Sequence, residues 1–106
     1  MLSIFIVNYN TYNETNNCIN SIINSNLSNL KYEIIILENN SKKNIYKYKN
    51  NNIKVFYLGK NYGFAKAANY GISKANYKYI LSVNPDVTVS EDSISTILSY
   101  IKNNKN

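Results

Sequence analysis

The chain has 106 residues and a formal net charge of +6, carried by twelve lysines without any arginine or histidine. A single cysteine, Cys18, excludes an internal disulfide and a cysteine-based zinc site, and the missing histidine excludes Ser-His-Asp and Cys-His nucleophiles and His-ligated zinc. A hydrophobic share of 44% suits one small globular domain over 1–106, while scattered lysines and absent arginine fit a solvated basic surface, an anionic ligand or an anionic membrane surface better than nucleic acid.

Ser3-Ile4-Phe5-Ile6-Val7 is a continuous apolar run, the kind of strand that is buried on both faces, and it ends in Asn8-Tyr9-Asn10. It is too short for the apolar region of a signal peptide and lacks a basic flank. With nothing long enough to span a membrane, the expected location is the cytoplasm. Thr11-x-x-Glu14 matches a capping box, so a helix is predicted from Thr11, with Cys18, Ile19, Ile22 and Ile23 on its apolar face. Tyr32–Leu37 is the second strand and ends in Glu38-Asn39-Asn40-Ser41. A weak helix is expected over about 42–50. Ile53–Leu58 is the third strand, ending at Gly59-Lys60-Asn61. The next helix, from about Gly63 to Ala75, places Phe64, Ala68, Gly71, Ile72 and Ala75 at helical spacing. Tyr77–Val83 is the fourth strand; Asn84-Pro85-Asp86 stops it, because proline has no N–H for a ladder. Ser90 is expected to cap a last helix, with Glu91 and Asp92 in its positive first turn, Lys102 near its negative end, and Ile94, Ile97, Leu98 and Ile101 on its apolar face.

Strands alternating with helices predict an α/β fold: a Rossmann-like three-layer α/β/α sandwich on a parallel four-stranded sheet, in the order 3-2-1-4. Winding then reverses between strands 1 and 4, and the crevice at that switch point is the expected ligand site. Asn8-Tyr9-Asn10 walls one side and Asn84-Pro85-Asp86 the other, while strand 2 delivers Glu38 to the same edge. No G-x-x-x-x-G-K-[ST] or G-x-G-x-x-G loop is present to cradle phosphates. What remains is amides, an aromatic ring and carboxylates. Asn suits the polar edge of a nucleobase, Tyr9 its face, and Glu38 a base N–H or a ribose hydroxyl. A lone Asp86 with oxygen neighbours suits a hard cation, Mg²⁺ or Mn²⁺, bridging a diphosphate. Plainer readings stand beside these. Asn-Pro-Asp is turn chemistry in its own right. Asn8 and Asn10 belong to a chain with 22 asparagines, where turn and cap roles are common. Glu38 and Tyr9 also fit a solvated strand end and ordinary packing.

Four segments together resemble the N-terminal half of a family 2 glycosyltransferase with the GT-A fold, nearest its rhamnosyltransferase-like branch. They are Val7-Asn8-Tyr9-Asn10; Ile36-Leu37-Glu38-Asn39-Asn40-Ser41; Lys60-Asn61-Tyr62-Gly63-Phe64-Ala65 with Asn69-x-Gly71; and Leu81-x-x-Asn84-Pro85-Asp86-Val87. The resemblance implies nucleotide contacts at Asn8, Tyr9 and Asn10 and base recognition at Glu38. It implies contacts to a nucleotide-diphosphate sugar at Asn61, Gly63 and Asn69. It also implies a metal at Asp86, with Asn84 in the first position of a D-x-D-type motif. Gly63 and Asn69 read equally well as a helix-start turn residue and a polar helix-surface residue. Glu38 stands where the family usually has Asp, and Lys43 where it often has an acidic residue. The family's acceptor half and catalytic base would lie beyond Asn106, so no catalytic residue is assigned. The isolated chain is expected to bind donor with little or no transfer, the base coming from a further segment, from a partner chain or not at all, and the flank of strand 4 is expected to favour self-association into a homo-oligomer. The alternative is a non-catalytic nucleotide-binding or assembly module.

Overall fold

The computed structural model describes residues 1–27, 30–43 and 46–103. Its elements are β1 (Leu2–Asn8), α1 (Tyr12–Ile23), β2 (Tyr32–Glu38), β3 (Ile53–Tyr57), α2 (Gly63–Lys74), β4 (Tyr79–Ser82) and α3 (Ser93–Asn103). The strands form one sheet in the order β3-β2-β1-β4, and all three pairings are parallel. The α/β fold and strand order predicted from the alternation of elements are therefore observed.

Burial on both faces explains the unbroken apolar runs of β1 and β2. Leu2, Ile4 and Ile6 of β1 and Ile34 and Ile36 of β2 face one layer, where they pack with Cys18, Ile19 and Ile22 of α1 and Ile94 of α3. Phe5, Ile35 and Leu37 alternate to the other face and meet Ala67 and Ala68 of α2. The register aligns Ile4 with Ile34, Ile6 with Ile36 and Asn8 with Glu38. Two polar residues thus arrive side by side where the two central strands end. Gly71 lets α2 sit close to the sheet, because a Cβ there would lie 2.5 Å from Leu37 Cδ1. At the opposite end of the sheet, buried Glu33 accepts hydrogen bonds from Ser3 Oγ (2.6 Å), Asn76 N (2.7 Å) and Lys54 Nζ (3.1 Å). That carboxylate ties β1, β2, β3 and the α2–β4 connection together.

Several local expectations are corrected. No helix occupies 42–43 or 46–50; the remaining residues of that predicted helix, 44 and 45, lie outside the described ones. Tyr46 and Tyr48 turn inward while Lys47 and Lys49 face out, a period of two that a helix cannot provide. The capping box does not form, since Thr11 makes no side-chain bond to the helix backbone and its hydroxyl donates to Asn8 Oδ1 instead. Phe64 and Ile72, assigned to the packed stripe of α2, are 58% and 48% exposed, and the buried stripe is Ala67, Ala68 and Gly71. Glu91 and Asp92 form a turn ahead of α3. The Asp92 carbonyl accepts the Thr96 N–H at 3.0 Å, so the helix begins two residues later than Ser90 capping would set. On α3, Ile94 and Leu98 are buried while Ile97 and Ile101 stay exposed.

Candidate functional site

The C-terminal edge of the sheet is built around a buried polar hub. Asn8 and Glu38, paired in register, lose essentially all contact with solvent. The Asn8 amide nitrogen lies 2.5 Å from Glu38 Oε1, 2.5 Å from the Tyr46 hydroxyl and 3.0 Å from Ser41 Oγ. Its Oδ1 accepts from the hydroxyls of Thr11 (2.5 Å) and Thr15 (2.8 Å). Glu38 also accepts the Ser41 N–H at 2.5 Å and the Tyr46 O–H at 2.8 Å. Burial, and then the Glu38 carboxylate that takes its proton bond, push the Tyr46 phenol far above its ordinary pKa, so it stays a donor. Among the described residues every buried side-chain nitrogen and oxygen has a partner.

Two loops are locked to this hub and carry exposed groups above it. Asn10 adopts a left-handed backbone (φ 56°), which asparagine tolerates better than most residues. Its N–H donates to Ser41 Oγ (2.8 Å), and its Oδ1 accepts the Lys42 N–H (3.1 Å). Tyr9 beside it is half exposed. Asn39, buried after β2, accepts the Tyr62 N–H and donates to the Gly63 carbonyl, both at 3.3 Å, which fixes the β3–α2 loop against the β2 end. In that loop exposed Asn61 accepts the Gly63 N–H at 2.9 Å. Gly63 itself needs φ +79°, a conformation costly for other residues. Asn69 lies on exposed helix surface, roughly 9 Å along α2 from Gly63 at 1.5 Å per residue, away from the strand ends.

Asn84 and Asp86 stand on the other side of the switch point. The Val83 N–H still bonds the Phe5 carbonyl (3.1 Å), continuing the β1–β4 ladder, and the Val87 N–H closes a turn onto the Asn84 carbonyl (3.1 Å). Both side chains are exposed. Among the described residues no hydrogen bond or ion pair occupies the Asp86 carboxylate. No group of three acidic, cysteine or histidine residues able to enclose a metal exists among them either. A cation here would take one protein carboxylate and draw its remaining ligands from phosphate and water, the usual arrangement for Mg²⁺. The donor set fits that use and not a closed structural site. Burial, with the negative charge of Asp86 adding to it, raises the Cys18 thiol to about 11, so Cys18 is an inert core group.

The edge therefore brings Asn8 to Glu38 as a paired base, sets Tyr9, Asn10, Asn61 and Gly63 in loops latched to it, and leaves Asn84 and Asp86 free across the crevice. Thr15, Ser41, Tyr46 and Asn39 complete the hub; from the sequence, Asn39 and Ser41 are picked out only as part of the Ile36–Ser41 segment, with no role, and Thr15 and Tyr46 not at all. Thr15 had a usable signal: it falls on the apolar face with Cys18, Ile19 and Ile22, where a polar side chain needs a buried partner.

A glycosyl transferase family 2 model matches residues 3–106. The chain belongs to glycosyl transferase family 2. Within the family it is 39% identical over 89 residues to the poly-beta-1,6-N-acetyl-D-glucosamine synthase of Staphylococcus aureus (strain MW2), an alignment covering 76% of this chain and 21% of the synthase. It is 30% identical over 112 residues to the minor teichoic acid biosynthesis protein GgaB of Bacillus subtilis (strain 168), covering 98% of this chain and 12% of GgaB. The chain thus spans about a fifth or less of these family members' length. The crystal structure of S. aureus TarS 1–349 superposes with a TM-score of 0.85 at 21% identity, over 96% of this chain and 32% of TarS. TarS has the same fold, the GT-A fold, and has also been solved with UDP and with UDP-GlcNAc. No described helix of the family 2 domain is long and apolar enough to cross a membrane.

Proposed function

We propose that this domain holds the donor for a glycosyl transfer: a nucleotide-diphosphate sugar, with UDP as its nucleotide, bound across the C-terminal edge of the sheet. The observation that carries the reading is the free Asp86 carboxylate on the β4 turn, across the switch point from the exposed Tyr9 and Asn10. TarS, with the same fold, was solved with UDP-GlcNAc, which supports the nucleotide class.

In this reading Tyr9 offers its ring to the base, and Asn10 and Asn61 offer amides to ribose and phosphate. The Asn8–Glu38 pair acts from below. Its two side chains are spent on each other and on Ser41, Tyr46, Thr11 and Thr15, so its first task is to hold the loops rigid. A contact between Glu38 and the base requires the Tyr46 hydroxyl to give up its bond. Asp86 would hold Mg²⁺ or Mn²⁺, with the Asn84 side chain in reach of the same turn. A bound cation supplies neutralising charge for the diphosphate leaving group. An acceptor hydroxyl, deprotonated by a base from outside these residues, would attack the anomeric carbon in line and invert it.

Calorimetric titration with UDP, with and without Mn²⁺, tests this. Binding should tighten by at least about tenfold with the metal, equal to ~1.4 kcal/mol. Asp86→Asn should remove that increment and keep the metal-free binding. A chain that binds no UDP under either condition would be a structural or assembly module instead.

A further inference from the structure

We propose a second, non-catalytic site on the flank of α2 and β3: a groove that tethers an anionic chain of sugar or polyol units joined by phosphates. Scattered along the sequence as they are, the lysines are segregated from the acids. Residues 39–85 hold nine of the twelve lysines and none of the six acidic residues. Of these nine, Lys54 lies on β3, Lys60 in the β3–α2 loop, and Lys66 and Lys74 on α2. There Tyr57, Leu58, Tyr62, Lys66 and Tyr70 line a groove of about 310 Å³, within the range of small-molecule sites. Three of its five lining residues are tyrosines with large exposed surfaces. Lys60 stands 5.3 Å over the Tyr62 ring and Lys74 5.3 Å over the Tyr70 ring, so cations are held at the aromatic faces. Tyr70 is itself braced edge-on against Phe56 at 5.7 Å.

That combination selects an occupant. Lysine ammonium groups meet phosphate as point charges, and ring faces meet the C–H surface of a sugar or polyol. The groove is concave, so a single flexible chain enters it where a flat bilayer does not. Duplex nucleic acid is disfavoured by the absence of arginine, the residue best suited to reading bases. β3 and β4 are the two outer strands of the sheet. Three strand spacings, roughly 14 Å, therefore separate the Tyr57–Leu58 wall of the groove from β4, while its Tyr62 wall adjoins the donor loop at Asn61 and Gly63. A chain held in the groove keeps its free end at high local concentration near the donor crevice without entering it. Its use as an acceptor tether rests on the donor reading above; binding in the groove does not.

The test is fluorescence or calorimetric titration of the 106-residue chain with a short poly(glycerol phosphate) oligomer. An uncharged dextran oligosaccharide, oligo(dT) of equal charge and phosphatidylglycerol vesicles are run in parallel. The expected result is preferential binding of poly(glycerol phosphate). Lys66→Gln/Lys74→Gln and, separately, Tyr70→Ala should each weaken it by about tenfold, while UDP affinity stays unchanged. The lysine pair is exposed, so it tests the groove even where Tyr70→Ala disturbs packing. The proposal is overturned by equal affinity for dextran or for oligo(dT). It is equally overturned by variants that bind the oligomer like the parent, or by variant-sensitive binding to vesicles in place of the oligomer. Loss of UDP binding with retained oligomer binding would sink the donor reading and leave this one standing.

Discussion

At the scale of single residues, the chain places its polar chemistry at the two ends of central strands whose middles are apolar and buried. Asn8 is the keystone of one end. Replacing it with Ala removes partners from Glu38, Thr11 and Thr15 together, and leaves a buried carboxylate short of a donor. A loss of about 2–4 kcal/mol is expected in urea unfolding, more than deletion of one ordinary hydrogen bond costs. A loss below about 1 kcal/mol would show that the hub is not cooperative. Glu33 governs the other end. Burial alone would raise its pKa, but the hydrogen bonds from Ser3, Asn76 and Lys54 outweigh that and lower it. The sign follows: the folded state holds the proton more weakly than the unfolded chain. The contribution of Glu33 is therefore complete above the ordinary carboxylate pKa and fades as pH falls towards its lower folded value. Unfolding followed from pH 7 to 3 should show Glu33→Gln less stable at neutral pH and nearly level with the parent at the acid end; a constant difference across that range would contradict the linkage. In the sequence, Asn8, Glu38 and Asp86 were legible as strand-end residues. Their divergence was not. Two of them are sealed in a network made by Ser41, Tyr46 and Thr15, residues 3 to 30 and more positions away, and only register reveals that.

At the scale of elements, period and composition fixed what tertiary contacts did not contest. The long apolar runs of β1 and β2 and the Cys18-Ile19-Ile22 stripe of α1 are where expected, because each has a face that only burial satisfies. The segment after β2 misled for a physical reason. Its tyrosine hydroxyls reach across, Tyr46 to Glu38 and Tyr48 to Asn16, and these tertiary bonds override a weak helical preference. α2 misled differently: its tightest contact needs small residues, so the large Phe64 and Ile72 are turned outward. Gly71→Ala measures that contact. Alanine gains roughly 1 kcal/mol of helix propensity over glycine, but its Cβ would lie 2.5 Å from Leu37 Cδ1 in a filled core. A net destabilisation of about 1–2 kcal/mol is expected, since overpacking of this kind costs ~1–3 kcal/mol. In a Leu37→Ala background, where the clashing atom is gone, the same change should become neutral or stabilising. Additivity of the two changes would show that α2 simply shifts away.

At the scale of the whole molecule, the sheet is finished on one side and open on the other. β3 is short and its flank is rich in lysine, which blunts an edge strand. β4 is shorter still, but it carries no lysine within Tyr79–Ser82. Among the described residues no strand pairs with its outer edge, and Ile80 (42%), Ile97 (45%) and Ile101 (42%) are exposed around it. A groove of about 530 Å³ runs between the β4 end and α3, lined in part by Leu81, Val83, Val87 and Ile97. Apolar surface beside a free strand edge favours pairing with a second chain. A net charge of +6 opposes that pairing between identical copies, and salt screens the opposition over about 10 Å at 0.1 M and 3 Å at 1 M. Self-association is therefore expected to be weak, dependent on concentration, and stronger as salt rises, opposite to the salt response of a contact between unlike charges. Ile80→Lys puts a cation on the edge, and Ile97→Lys puts one beside it; each should hold the chain monomeric through the same concentration and salt series in sedimentation velocity. A parent chain that sediments as a monomer at high concentration and high salt would show that the β4 edge is protected by its own short length, which leaves only a few backbone bonds for a partner to gain.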